Sequence, residues 1–131
     1  MTNGEQLREA IKYFVDKADE ALDSAKDELQ SGRLSFSVNR LYYACFYAIS
    51  AVLLQDDLKF KKHAGIKAAF HQHLVKPGKI GPQFGELFNE LFEARQRGDY
   101  LAFVSFDHRH VADWLNRTQH FLSTLKSLTK L

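Results

Sequence analysis

A chain of 131 residues is long enough to bury one hydrophobic core, so we expect a single domain over residues 1–131. Its 45% apolar and 26% charged content is ordinary for a soluble globular protein. The single cysteine, Cys45, cannot form an internal disulfide, which excludes a disulfide scaffold and predicts a cytoplasmic location. The longest near-apolar run, 41–54, has 14 residues, so no membrane-spanning segment is expected.

The net charge of +2 is unevenly distributed along the chain. Residues 1–30 carry eight acids against four bases, whereas residues 59–79 carry six lysines and no acid. The basic stretch is typical either of a solvated lysine-rich helix and loop or of a surface that attracts a polyanion such as RNA.

Helical periodicity dominates the first half of the chain. Apolar residues spaced three or four apart predict a first helix of about 25 residues that ends at Ser31 and Gly32. A second helix, from about Leu34 to Gln55, is apolar nearly all round. Such a helix needs cover on every side, from the rest of a bundle or from a second subunit.

The second half continues the helical pattern. A third helix is predicted from about Lys62 to Val75, and PGKIGP, at 77–82, is the clearest loop. The fourth helix carries a stripe of phenylalanine and leucine and should stop at Gly98, a residue type common just after helix C-termini. Ser105 or Asp107 can then cap the last helix.

Four long helices and a shorter one, joined by short turns, predict an all-α fold of the up-and-down bundle type. Strand-like alternation, internal repeats and low-complexity linkers are not evident in the sequence.

Familiar catalytic motifs are missing from the sequence, including glycine-rich phosphate loops, HExxH and CxxC. His71 and His73 lie two apart on a predicted helix and point in different directions, so neither a metal site nor a cofactor is expected. Cys45, between Ala44 and Phe46, is predicted to be a buried structural thiol.

Arg40 opens the aromatic run RLYYACFYAI of the second helix. A guanidinium there must pair, reach solvent or hold a ligand phosphate. Tyr43 and Tyr47 are four apart and share a helix face. The two tyrosines either pack the bundle with their hydroxyls at its rim or form an aromatic and basic surface on which a nucleotide stacks.

The hexapeptide RQRGDY, which begins at Arg95, has two interpretations. In the first, Arg95 and Arg97 lie in the last turn of the fourth helix, where cations favour the negative end of the helix dipole. Asp99 then pairs with an arginine or caps the following turn. In the second, these residues and Tyr100 form a phosphate or nucleotide site at a junction between helix and loop.

Three blocks occur in the order NRLYYACFYAISAVLL (39–54), KKHAGIKAAF (61–70) and LFEARQRGDY (91–100). Their combination resembles the HEPN family (higher eukaryotes and prokaryotes nucleotide-binding), in its branch of small stand-alone prokaryotic proteins. The resemblance covers essentially the whole chain. It implies a helical bundle, usually dimeric, and frequent pairing with a minimal nucleotidyltransferase in two-gene systems of toxin–antitoxin type.

Active members of that family are metal-independent endoribonucleases with an arginine followed, after four to six residues, by a histidine. The resemblance implies that Arg95 holds the scissile phosphate, yet Tyr100 stands where the histidine would be. Tyrosine, with a pKa of about 10, is a far weaker proton acceptor at neutral pH than imidazole, with a pKa of about 6.5. A replacement base would have to come from elsewhere, such as His108 or His110 of the last helix.

The sequence therefore predicts a dimeric HEPN-type domain, non-catalytic or weakly active, that binds RNA or a nucleotide. The predicted binding residues are Arg40, Tyr43, Arg95, Arg97, Asp99 and Tyr100. Arg95 and Tyr100 are also the candidate catalytic residues, and Tyr100 is alternatively an acceptor for nucleotidylation by a partner nucleotidyltransferase. Two alternatives stay open: a ribonuclease toxin with a non-standard base, and an adaptor bundle whose second helix forms the subunit interface.

Overall fold

The structure is a computed structural model that describes residues 3–58, 62–100 and 105–131, without the side chains of Asp99 and Tyr100. Over these residues the chain is helical and contains no strand. The helices are α1 (Asn3–Gln30), α2 (Leu34–Gln55), α3 (His63–Phe70), α4 (Pro82–Tyr100) and α5 (His108–Ser127). The predicted all-α bundle of four long helices and a shorter one is confirmed.

Helix α2 is the centre of the bundle and packs against α1, α3, α4 and α5. Its own buried side chains lie on several of its faces, as its apolar sequence requires. Cover therefore comes from other helices of the same chain. Cys45, on this helix, is fully buried, and burial raises the pKa of its thiol to about 12, which confirms the predicted structural role.

Gly32 makes the turn from α1 into α2. Its φ of 76° is in the left-handed region, and the backbone N–H of Arg33 donates to the carbonyl of Glu28 at 2.9 Å. Beyond the turn α2 packs closely on α1, where the Ser37 hydroxyl donates to the carbonyl of Ala25 at 2.8 Å. The predicted end of the first helix is confirmed.

The third helix spans nearly the predicted residues, but its last turn is π-helical instead of α-helical. It continues beyond α3 as a π-helical turn, His71–Val75, in which the N–H of Lys76 donates to the carbonyl of His71 at 2.8 Å. His71 Nε2 lies 2.9 Å from Oδ1 of Asn89 on α4. A Cβ at Gly85 would lie 3.1 Å from the His71 ring, so the missing side chain lets α4 approach this turn closely.

The predicted helix stop at Gly98 is wrong, because α4 continues to Tyr100. A Cβ at Gly98 would lie 3.1 Å from the ring of Phe106, so this glycine makes room for tertiary packing. Arg97 is the basic residue of the last turn, and Arg95 lies further from the helix end than predicted. The helix dipole therefore gives a weaker reason for an arginine at position 95.

Helix α5 closes the bundle. Asp107 occupies its N-cap position, as predicted, but its side chain makes no capping hydrogen bond. Arg117 reaches α4 and donates to Glu90 at 2.8 Å, and the Gln55 amide donates to the Leu128 carbonyl at 2.9 Å. None of the described helices combines the length and apolar character needed to cross a membrane.

Candidate functional site

Arg95 and Tyr43, both predicted site residues, are brought together between α4 and α2. The Arg95 guanidinium donates to the Tyr43 hydroxyl at 3.2 Å. Its Cζ lies 5.4 Å from the centre of the Tyr43 ring and 5.2 Å from that of Tyr42, within cation–π range of both. Arg95 is half-buried, so its charge is held against aromatic faces and retains some contact with solvent.

His63, the first residue of α3, joins the same group. Its Nδ1 lies 2.7 Å from the hydroxyl of the fully buried Tyr42. The His63 ring stacks on Phe46 at 4.5 Å and on Tyr42 at 5.6 Å, and meets Tyr43 edge-on at 5.7 Å. We call Tyr42, Tyr43, Phe46, His63 and Arg95 the Arg95 cluster.

The protonation states within the Arg95 cluster follow from burial and from the arginine charge. Burial lowers the pKa of His63, and the positive charge of Arg95 lowers it further. Burial raises the pKa of Tyr42, although Arg95 opposes that shift. At neutral pH the His63 imidazole and the Tyr42 phenol are therefore neutral and lie beside the Arg95 guanidinium cation.

A second cation borders the cluster. Lys67 follows His63 by one helical turn on α3, and its Nζ lies 4.5 Å from the centre of the Phe92 ring. Phe92 precedes Arg95 by one turn on α4 and meets Tyr42 edge-on at 5.9 Å. Cations from two helices thus lie on connected aromatic rings, an arrangement suited to an anionic ligand with flat bases.

Tyr43 also forms part of a groove between α1 and α2. The groove has a volume of about 370 Å³. It is lined by Lys17, Glu20, Ala21, Ser24, Arg40, Tyr43 and Tyr47. Because the Tyr43 hydroxyl accepts a hydrogen bond from Arg95, this α1–α2 groove adjoins the Arg95 cluster.

The remaining predicted site residues are not all part of this arrangement. Arg40 is exposed and donates to Ser24 at 3.2 Å and to Asn39 at 2.6 Å, so it reaches the cluster only through the groove it shares with Tyr43. Arg97 is exposed in the last turn of α4. The predictions for Asp99 and Tyr100 concern side chains outside the described residues.

Comparison with known proteins assigns the fold to a family. A model of the HEPN domain matches residues 11–128. The chain belongs to the HEPN family. The resemblance inferred from the three sequence blocks is confirmed.

Curated relatives cover most of the HEPN chain. A UPF0332 protein of Thermotoga maritima is 43% identical over 118 residues, which are 90% of this chain and 89% of that protein. A protein of Methanocaldococcus jannaschii named "Putative toxin MJ0142" is 27% identical over 92% of this chain and 82% of its own length. A second protein of that organism, "Putative toxin MJ0605", is 33% identical over 72% of this chain and 70% of its own length.

The sequence did not single out His63 and Tyr42 as residues of the candidate site. The family pattern places the histidine downstream of the arginine, whereas His63 precedes Arg95 and lies on another helix. The available signal was the block KKHAGIKAAF, which contains this histidine. His110, considered as a replacement base, has its ring 4.1 Å from the Trp114 ring on α5.

The sequence predicts no metal site. Over the described residues, His, Cys, Asp and Glu side chains form no group of three or more that could hold a metal ion. In the Arg95 cluster both tyrosine hydroxyls are hydrogen-bonded to other members of the cluster, and the guanidinium cation favours an anion such as phosphate over a metal ion.

Proposed function

We propose that this HEPN chain acts as one domain that binds RNA or a nucleotide at the Arg95 cluster and is non-catalytic or only weakly active. The observation that carries the proposal is the Arg95 guanidinium held on two tyrosine rings and bonded to the Tyr43 hydroxyl at 3.2 Å. Holding the side chain in place reduces the entropy that it loses when it binds a phosphate. A guanidinium also matches two phosphate oxygens in its fixed geometry.

The surroundings of Arg95 support a polymer more than a single phosphate. Lys67 lies beside the cluster on α3, and Arg40 and Lys17 line the adjoining α1–α2 groove. A single strand bound here could place successive phosphates at Arg95, Lys67 and Arg40, whereas Lys17 pairs with Glu20 of the groove at 3.5 Å. Tyr43 and Tyr47 provide rings at the groove on which bases can stack, at roughly 1–3 kcal/mol per base.

The biological setting that we propose follows the relatives and the family. Two relatives carry the name "Putative toxin", and we propose a comparable role here, within a system of toxin–antitoxin type. The chain would act as a homodimer and pair with a minimal nucleotidyltransferase. Tyr100, near the end of α4, would be the residue that such a partner modifies, and Arg97 and Asp99 would extend the phosphate site. Light scattering tests the dimer, which a monomer at micromolar concentration would contradict.

A direct test compares the wild type with Arg95→Ala for binding to a fluorescently labelled, unstructured RNA, measured by anisotropy over a series of salt concentrations. Loss of a charge-assisted contact should weaken binding at least about tenfold. The dependence of the logarithm of affinity on the logarithm of salt concentration should fall by about one unit.

Arg8→Ala is the matched control, because it removes the same charge at the other end of the bundle. Arg8 borders a different cavity with Gln55 and Asp56, at the C-terminal end of α2. This variant should bind RNA nearly as the wild type does. Equal losses in the two variants would mean that only net charge matters, and no binding by the wild type would overturn the proposal.

A ribonuclease is the second candidate function, and a specific observation favours it. His63 supplies a neutral imidazole in the same aromatic cluster as Arg95, although the downstream position holds Tyr100. The adaptor alternative has less support, since α1, α3, α4 and α5 of the same chain pack against α2, although its Phe36 stays 55% exposed.

A further inference from the structure

We propose that the protein binds a small, neutral, planar nitrogen heterocycle in a cavity between α4 and α5. The cavity has a volume of about 240 Å³. It is lined by Gln83, Phe84, Leu87, Asn116, Arg117 and His120. These residues all lie outside the Arg95 cluster and the α1–α2 groove, so the site is separate from the proposed RNA site.

The size of the cavity limits the size of its ligand. An apolar cavity of about 150 Å³ accommodates benzene, whereas pockets for drug-sized ligands begin at about 300 Å³. The cavity between α4 and α5 lies between these two volumes. It therefore suits a single aromatic ring with a substituent, or a compact pair of rings, without a sugar or phosphates.

The apolar part of the lining favours a flat aromatic ligand. The Phe84 ring stacks on Phe121 at 5.1 Å and meets the His120 ring at 5.5 Å with an interplanar angle of 38°. Phe84 and Leu87 are buried, so the packing of the core fixes this wall of the cavity. Aromatic rings attract one another at centroid distances of about 4.5–7 Å, and a flat ring in the cavity gains such contacts with Phe84 and His120.

The polar part of the lining favours a ligand that both donates and accepts hydrogen bonds. In the part of the chain that the structure describes, the side chains of Gln83, Asn116 and His120 make no hydrogen bond with another residue. Gln83 on α4 and Asn116 on α5 each have an amide donor and an amide acceptor, and His120 has an imidazole. A heterocycle with a ring nitrogen and an amide or amino group matches this set.

Gly81 leaves room for one of these amides. A Cβ at Gly81 would collide with the amide group of Gln83, so the missing side chain lets that amide lie against the backbone. The backbone N–H of Phe84 donates to the Gly81 carbonyl at 3.1 Å, which places the contact at the beginning of α4. Gly81 therefore helps to position an amide at the edge of the cavity.

The charges around the cavity favour a neutral ligand. Arg117 donates to Glu90 at 2.8 Å and lies 3.5 Å from Asp113, so two carboxylates compensate its guanidinium. An anion bound in the cavity would be repelled by these carboxylates, and a cation by the guanidinium. A neutral ligand avoids both costs.

The test is an NMR titration of the isotope-labelled protein with nicotinamide, a neutral planar heterocycle that carries a carboxamide. Benzoate and cyclohexanecarboxamide have the same number of non-hydrogen atoms, but the first is an anion and the second is not planar. We expect nicotinamide to give saturable shifts of the Gln83 and Asn116 side-chain amides, with a dissociation constant of about 1 mM or below. The other two molecules should bind at least about fivefold more weakly.

Variants at exposed positions test the location of the site. Asn116→Ala should weaken nicotinamide binding about fivefold through loss of an amide contact, and Asn116→Trp should abolish binding by filling the cavity. Gln72→Ala, at an exposed residue of the π-helical turn, is the matched control and should bind as the wild type does.

Several outcomes would overturn the assignment. They are the absence of saturable nicotinamide binding, binding of benzoate or cyclohexanecarboxamide as tight as that of nicotinamide, and wild-type affinity in Asn116→Trp. Arg95→Ala should bind nicotinamide as the wild type does, because the two sites share no residue. Failure here would therefore leave the proposed RNA binding standing, and loss of RNA binding would leave this site standing.

Discussion

The Tyr42 hydroxyl lies 2.7 Å from Nδ1 of His63, which ties the core of α2 to the first residue of α3. Tyr42 is fully buried and His63 is half-buried, so the contact joins the interior of the bundle to its surface. It is also the contact that brings a histidine next to Arg95. The candidate site therefore includes a hydrogen bond made by a residue of the hydrophobic core.

Replacing Tyr42 with phenylalanine should show how much this hydrogen bond contributes to the stability of the fold. The ring keeps its contacts with Phe88 and Phe92, while the hydroxyl partner of His63 is lost. We expect the free energy of unfolding to fall by about 1 kcal/mol, measured by urea denaturation. Tyr13→Phe, at a side chain that is 56% exposed, is the control and should change little. Equal stabilities of Tyr42→Phe and wild type would show that the bond contributes nothing.

The pKa of His63 should be measurably below that of an exposed histidine. Burial and then the Arg95 charge lower it from its ordinary value of 6.5. Titration of the imidazole protons by NMR should place the His63 pKa below that ordinary value. Arg95→Ala should move the His63 pKa back upwards. A His63 pKa at or above the ordinary value would contradict the described surroundings.

The same shift gives stability a pH dependence of known sign. Between the lowered pKa and about 6.5 the unfolded chain binds a proton at His63 and the folded chain does not. The folded state therefore loses stability as the pH falls from neutral through this window, and below the lowered pKa this contribution no longer changes. Urea unfolding of the wild type should show the decrease, and His63→Asn should lack this part of it. An opposite sign would rule out a lowered His63 pKa.

Gly32 should be a glycine at which alanine has a clear backbone cost. Its φ is 76° and no atom lies within 4 Å of a Cβ built there, so the effect of alanine is purely conformational. We expect Gly32→Ala to lose about 1 kcal/mol of stability, and Gly32→Asn to lose less because asparagine tolerates this region better. Thermal unfolding of both variants provides the comparison. A stabilised alanine variant would contradict the turn geometry.

Cys45 should be unreactive in the native protein. Complete burial raises the pKa of its thiol to about 12, so thiolate is scarce at neutral pH and the sulfur is inaccessible. A thiol-specific chromogenic reagent should react only after urea unfolds the chain. Rapid reaction under native conditions would show that the packing of α2 opens easily.

Much of the fold could be predicted because its signals are local. Ser31 and Gly32 mark the end of α1 by residue type, and the apolar sequence of α2 requires burial on all sides. Gly98 shows where local rules fail. A glycine often marks the end of a helix, but Gly98 lies inside α4, where its missing side chain leaves room for the Phe106 ring. Residue spacing does not reveal this contact.

The candidate site was less predictable because its contacts join different helices. Arg95 and Tyr43 were both chosen for their chemistry, yet only the packing of α4 on α2 shows that they bond. His63 lies on a third helix and precedes Arg95 in the chain, so the family's arginine–histidine spacing does not point to it. Buried Tyr42 would pass for an ordinary core residue without its hydrogen bond.

The most direct measurement of the central claim is an NMR titration of the labelled protein with a short unstructured RNA in EDTA. We predict saturable shifts of the Arg95 Nε, the His63 imidazole and the Tyr43 ring, with the dissociation constant found by anisotropy and no shift at the Arg8 Nε. Saturable RNA binding whose shifts map away from the Arg95 cluster, with Arg95, His63 and Tyr43 unchanged, would contradict the account.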